Sequence, residues 1–112
     1  MIAEKLKSIQ QHAGISGSEV AELLDTTPET VSRWRGGRTE PQKRYLEDLL
    51  FLEWLIAELS ELYNPREARI WLYSHHRLLG GRRPVDLIAR GDDASRKEVL
   101  RIISQLKDSA YG

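Results

Sequence analysis

Residues 16–38 read SGSEVAELLDTTPETVSRWRGGR, and this stretch decides the fold. Ser16, with Glu19 three positions on, predicts a capping box that starts a helix. That helix turns Val20, Ala21, Leu23 and Leu24 inward. Asp25-Thr26 predicts a turn, and Thr27 caps the next helix with Pro28 at its first position. Val31 and Trp34 face the interior, and Gly36-Gly37 end the segment. Two helices crossing steeply through a short turn need a small residue at the fifth position of the unit. They also need a residue tolerant of left-handed backbone at the ninth, and apolar residues at the fifteenth and eighteenth. Counted from Gly17, those places hold Ala21, Asp25, Val31 and Trp34. The spacing predicts a helix-turn-helix.

The rest of the chain reads as helices too. No stretch keeps period-two alternation, so no strand is expected. Ile2, Leu6, Ile9 and Ala13 mark a first helix that Gly14 stops. Pro41 opens what reads as the longest helix, running to Tyr63, with a stripe of Tyr45, Leu49, Leu52, Ile56, Leu59 and Tyr63. Leu46, Leu50, Trp54, Leu55 and Leu62 fall largely outside that stripe, so this helix needs cover on more than one side. Asn64-Pro65 starts a helix burying Ala68, Trp71 and Leu72, and residues 74–83 read as irregular. Pro84 starts a helix that Gly91 stops. Asp92-Asp93 and a Ser95/Glu98 capping box start a last helix burying Val99, Ile102, Ile103, Leu106 and Ala110. The expected class is all-α: an N-terminal helix-turn-helix, a long central helix and a small C-terminal helical lobe. The expected organisation is a helix-turn-helix domain over 1–48, the rest of the long helix over 49–63, and a C-terminal domain over 64–112.

Composition narrows the function classes. Lys plus Arg equals Asp plus Glu at 17 each, which excludes a basic tail or an acidic disordered chain. The chain has no cysteine, which removes disulfides, thiolate metal sites and a thiol nucleophile. Residues 1–13 carry Glu4, Lys5 and Lys7 with no apolar core, so no secretory signal is expected, and no run approaches a membrane span. A cytoplasmic location and no membrane partner are the matching expectations. Residues 1–63 hold 7 basic and 11 acidic side chains, and residues 64–112 hold 10 and 6. Within the acidic half lies one basic island, with Arg33, Arg35, Arg38, Lys43 and Arg44 against Glu40.

A polyanion meets local charge rather than the total. With Val31 and Trp34 inward, Thr27, Glu29, Thr30, Ser32 and Arg33 are left to face DNA bases, and Arg33 has the guanidinium that suits guanine. Arg35, Arg38, Lys43 and Arg44 suit phosphates. Residues 16–38, notably TPETVSRWRGG, resemble the Cro/phage-repressor (Xre-type) helix-turn-helix.

The second half carries WLYSHHRLLGGRRPVDLI (71–88) and VLRIISQLKDSAYG (99–112). It resembles the toxin-binding domain of the Xre/MbcA/ParS antitoxin family at Trp71, Leu72, Leu79, Gly81, Pro84, Asp86, Leu87, Val99, Ile103, Leu106 and Tyr111. His75-His76 stands where Pro-Asn is frequent in that family, and Ser109 where glycine usually precedes the tail. The resemblance implies a RES-domain, NAD-destroying toxin as partner, neutralised by direct contact. It also implies operon autoregulation by binding operator DNA. Trp71, Arg77, Arg82, Arg83, Tyr111 and Gly112 are the candidates for toxin contact, since Arg and aromatic residues dominate interface hot spots.

Catalysis is not expected. The three histidines, His12, His75 and His76, include no pair at metal-binding spacing, and Gly80-Gly81 lacks the Lys-Ser/Thr of a phosphate loop. No metal or cofactor is anticipated. The apolar excess on the long helix, and the two-fold sites repressors read, point to a homodimer or a larger toxin-antitoxin complex. Two alternatives stay open: a repressor without a toxin, and a protein-only inhibitor whose helix-turn-helix does not bind DNA.

Overall fold

Local capping chemistry sets where the helices begin in the computed structural model, which describes residues 1–110 and the backbone of residue 111. Ser16 Oγ accepts from Glu19 N at 3.2 Å and Glu19 returns the bond to Ser16 N at 3.0 Å, which closes a capping box. Asn64 and Glu67 do the same at 2.9 Å each way. Thr27 Oγ1 caps Thr30 N, and Pro28, Pro65 and Pro84 each occupy a first helical position. The helices are α1 (Ile2–Ala13), α2 (Gly17–Leu24), α3 (Pro28–Arg35), α4 (Lys43–Ser60), α5 (Pro65–Tyr73), α6 (Pro84–Arg90) and α7 (Asp93–Tyr111). No strand occurs among the described residues. The all-α class is as expected.

Between α2 and α3 the ninth position of the expected motif, Asp25, adopts φ 57° and ψ 51°. It is the one non-glycine residue with positive φ among those described. Its N–H bonds back to Glu22 O at 3.3 Å, closing the end of α2. Left-handed backbone costs an L-residue about 1–2 kcal/mol, least for Asp and Asn. Ala21, Val31 and Trp34 are all buried, as their spacing predicts.

α1 packs on α3, α4 and α5, α2 on α3 and α6, and α6 on α7. The buried side chains form one contiguous core running from Leu6 and Ile9 through Val20, Leu55 and Leu72 to Leu87 and Val99. Replacing a fully buried Ile or Leu such as Ile9 or Leu55 by Ala is expected to cost about 2–5 kcal/mol.

Five expectations need correction. The central helix is Lys43–Ser60, not 41–63, and α7 is one residue longer. Pro41 stays outside because Gln42 is the N-cap, and three-residue bonds from Glu61 N and Leu62 N wind up the far end. Leu55 belongs to the core, Leu46 and Leu62 are half-buried, and only Leu50 and Trp54 of that group stand exposed. The last helix starts at Asp93, ahead of the Ser95/Glu98 box. Asp92 O accepts from Arg96 N, and bonding from Ser95 holds the Asp92 carboxyl below the usual range. Ala110 is exposed rather than buried. Within the irregular 74–83 segment, Arg77–Leu79 form one 3-10 turn.

Candidate functional site

Two surfaces gather the expected site residues, one on α3 and one on the C-terminal lobe. On α3 the packing of Val31 and Trp34, the latter 5.7 Å from the Tyr45 ring, turns the opposite face outward. Glu29, Ser32 and Arg33 join Pro28 and Arg38 along an open groove. Thr27 and Thr30 are bound to each other, hydroxyl to hydroxyl at 2.9 Å, so both serve the helix start. Arg33 Nη2 donates to Thr30 Oγ1 at 3.3 Å, which leans the guanidinium along the helix and leaves it exposed.

A second groove crosses from α3 to the start of α2, lined by Ser16, Gly17, Ser18, Pro28, Ser32 and Arg35. The Arg35 guanidinium lies 3.3 Å from where a Cβ on Gly17 would stand. A bare backbone at Gly17 therefore lets a cation rest against the N-terminus of α2, whose unpaired N–H groups carry partial positive charge. Arg38 and Lys43 are exposed, and the Arg44 guanidinium lies over the Tyr45 ring at 4.5 Å. Lys43 leans toward Glu47 at 3.9 Å, an exposed pair of little energetic weight. Chemically, the face offers Arg33, Arg35 and Arg38 to solvent together with a helix N-terminus, with Glu29 as the opposing charge. Such a surface suits a polyanion.

On the C-terminal lobe Trp71 is 8% exposed and floors a groove walled by His76, Arg77, Leu78, Ile102, Gln105, Leu106 and Ser109. His76 Nε2–H donates to the Trp71 carbonyl at 2.8 Å, and the two rings lie 5.0 Å apart. His75 Nδ1–H donates to the Gly81 carbonyl at 2.7 Å. Both histidines thus pin the 74–83 loop. No metal-holding cluster occurs among the described residues. Leu78 is 57% exposed and Ile70 55%, and sequence periodicity flagged neither.

The expected arginines differ in availability. Arg82 donates Nε–H to Leu79 O and Nη2–H to Glu98, both at 2.6 Å. Arg83 forks onto Asp86 at 3.0 and 2.8 Å, which holds the Asp86 carboxyl below its ordinary range. Arg77 is exposed and has no side-chain hydrogen bond among the described residues. The Tyr111 side chain and Gly112, both expected at the partner contact, lie outside the described residues.

Sequence reasoning missed the pairs that tie helices distant in the chain together. Arg69 on α5 holds Glu19 on α2, Lys5 on α1 holds Glu53 on α4 at 3.1 Å, and Arg96 and Lys107 on α7 hold Asp48 and Glu58 on α4. Each joins residues about 50 positions apart, where no local pattern points to the partner.

No family model matches the chain. The chain is 27% identical over 111 residues to the mycobacterial cidal antitoxin MbcA of Mycobacterium tuberculosis and of Mycobacterium bovis, covering 99% of this chain and 96% of theirs. A second M. tuberculosis protein, described as a "probable mycobacterial cidal antitoxin", is 38% identical over 77 residues, covering 69% of this chain and 65% of that one. The fold superposes on a chain in the crystal structure of the M. tuberculosis MbcT-MbcA toxin-antitoxin complex. The TM-score is 0.80 at 28% identity, over 97% of this chain and 96% of that chain.

Proposed function

The chain is a homologue of the MbcA antitoxins along its whole length, and on that premise we propose that it binds a cognate toxin and neutralises it by direct protein contact. The observation that carries this reading is the whole-length correspondence with a structure solved as a toxin-antitoxin complex. The contact surface in this reading is the lobe over 64–112. The Trp71 groove supplies an apolar floor, exposed Leu78 an anchor, and Arg77 an uncommitted cation. Aromatic and Arg groups beside exposed apolar area are the ingredients of interface hot spots. Arg82 and Arg83 contribute through their remaining N–H groups, and Tyr111 and Gly112 as further contact residues. The partner in this reading is a RES-domain toxin that consumes NAD, whose active site the antitoxin covers. The antitoxin itself is not a catalyst.

The α3 face serves the second half of the role, autorepression by operator binding. Residues 1–48 form the helix-turn-helix unit, which 49–63 connect to the lobe. Arg33 reads a base, Glu29 and Ser32 flank it, and Thr27 and Thr30 set the helix start. Arg35, Arg38, Lys43 and Arg44 hold phosphates. Two copies act together, since a two-fold operator is read by a two-fold protein. The setting is the cytoplasm, where both operator and NAD are found.

The test is co-expression with the neighbouring reading frame. The expected outcome is a stable complex that consumes no NAD until the antitoxin is removed, and that binds its own promoter with steep salt dependence. A partner that is absent, or that turns over NAD equally with and without this chain, would sink the antitoxin reading.

A further inference from the structure

We infer that Glu29 selects cytosine in the operator: its carboxylate accepts from the exocyclic amine of a cytosine within one base pair of the guanine that Arg33 takes. This deepens the operator reading above and rests on it. It goes further by naming the base and the residue that chooses it.

Glu29 holds the centre of the face that α3 turns outward. At about 100° per residue it lies roughly 170° from the bisector of buried Val31 and Trp34, further round than any other residue of the helix. Ser32 and Arg33 flank it one turn on, each about 130° from that bisector. Glu29 also stands in the first turn, the part of a recognition helix whose side chains reach base edges in the major groove.

The carboxylate is exposed and uncommitted. Arg33, four residues on, is at the spacing where a Glu–Arg pair ordinarily closes, yet its guanidinium donates to Thr30 Oγ1 instead. The Glu29 side chain makes no hydrogen bond or ion pair among the described residues. It shares its groove with Pro28, Ser32, Arg33 and Arg38, so an acceptor and two donors of opposite charge stand together toward solvent.

A carboxylate at the centre of a polyanion-binding face repels phosphates and weakens every sequence alike, unless a donor meets it. The major groove offers two such donors, the N4 amine of cytosine and the N6 amine of adenine. Adenine sets its N7 lone pair beside the amine, against the second carboxylate oxygen, whereas cytosine presents the amine alone. Guanine and thymine show only acceptors there. Cytosine is therefore the base that fits. Side chains four apart on a helix stand about 5–6 Å apart at Cβ, so Arg33 reaches guanine O6 and N7 in the same or the adjacent base pair. Position 29 thus rejects wrong sequences as much as it attracts the right one. An acid in a first helical turn also steadies the helix dipole. That role needs only charge and leaves base preference untouched.

The full-length protein selects duplexes from a randomised pool, and gel shifts on the enriched site then place each base in turn. The wild-type protein is expected to prefer cytosine about tenfold at one position beside the guanine whose preference Arg33→Ala relaxes. Glu29→Ala should flatten the cytosine preference and bind random duplexes several-fold more tightly, because one repulsive charge is gone. Glu29→Gln, whose amide both donates and accepts, should move the preference to adenine. Glu29 is exposed, so both variants should keep the helical circular dichroism of the wild type. A cytosine preference that survives in both variants assigns Glu29 to the helix dipole and overturns the proposal, while the operator reading stands. A selected site with no cytosine beside that guanine overturns it as well. A wild-type protein that binds no duplex removes the operator reading itself, and this proposal with it.

Discussion

Arg69 on α5 and Glu19 on α2, 50 positions apart, form a two-pronged pair: Nη1 donates at 3.0 Å and Nη2 at 2.6 Å. Arg69 Nη1 also donates to the Gly14 carbonyl at 2.9 Å, and Tyr73 Oη donates to Glu19 at 3.4 Å. Glu19 is at the same time the carboxylate of the α2 capping box. One side chain therefore both starts the second helix and anchors the C-terminal half against it. The Arg69 hydrogen bonds, with help from the Ser16 backbone, hold Glu19 down from its ordinary 4.5 to about 2. Burial first, then the Glu19 charge, pushes the Tyr73 hydroxyl up.

The pair makes stability depend on acid. A carboxyl depressed in the fold contributes fully above about 4.5, and its contribution fades as pH falls toward about 2. Arg69→Ala is expected to cost about 1–2 kcal/mol near neutral pH, discounted for the part-exposed geometry. The gap between variant and wild type should narrow steadily below about pH 4.5. Urea unfolding at about pH 7 and about pH 3 measures it, and a gap of equal size at both would show that the ion pair is not its source.

Asp25 supplies a backbone test. At φ 57° the position favours residues that tolerate left-handed geometry. Asp25→Gly should be neutral or stabilise by up to about 1 kcal/mol, and Asp25→Val should destabilise by about 1–2 kcal/mol. Thermal unfolding reads the order, and a Val variant as stable as the Gly variant would mean the turn relaxes to another conformation.

Operator binding separates base contact from phosphate contact. Arg33→Ala is expected to weaken the operator complex by about 1–3 kcal/mol and to relax preference at one base pair. Arg38→Ala should weaken all sequences alike and reduce the salt slope by about one. Gel shifts over operator variants distinguish them, and unchanged operator affinity in Arg33→Ala would remove Arg33 from the reading face. Neither change touches the Trp71 lobe, so neutralisation should persist.

Deleting residues 109–112 removes no core side chain that the structure describes, since Ser109 and Ala110 are exposed. The shortened chain is expected to fold and bind DNA normally and still to hold the toxin through the lobe. In the proposed mode it should release NAD consumption, because Tyr111 and Gly112 are among the residues proposed to cover the toxin's active site. NAD turnover by the purified complex decides this. Full inhibition by the shortened chain would assign blockade to the lobe itself.

The sequence by itself determined the helices and their punctuation. A capping box spans three residues, a left-handed turn is one residue's φ, and an amphipathic stripe repeats within one or two turns. Ser16, Asp25, Pro28, Asn64 and Pro84 could therefore be read directly. The outward set on α3 followed from Val31 and Trp34 alone, because burying one face of a helix exposes the other. What covers a given apolar residue was decided only by tertiary structure. Leu55 and Trp54 are neighbours on α4, yet one is buried and the other exposed, because neighbouring helices cover one side of α4 and leave the Trp54 side open. The same holds for charge. Nothing within four residues of Arg82 signals that Glu98 will claim it, so it reads in sequence as a free cation, and nothing near Arg69 in the chain points to Glu19. Such partners are set by how helices distant in the chain pack together, and that geometry exists only once the core has closed.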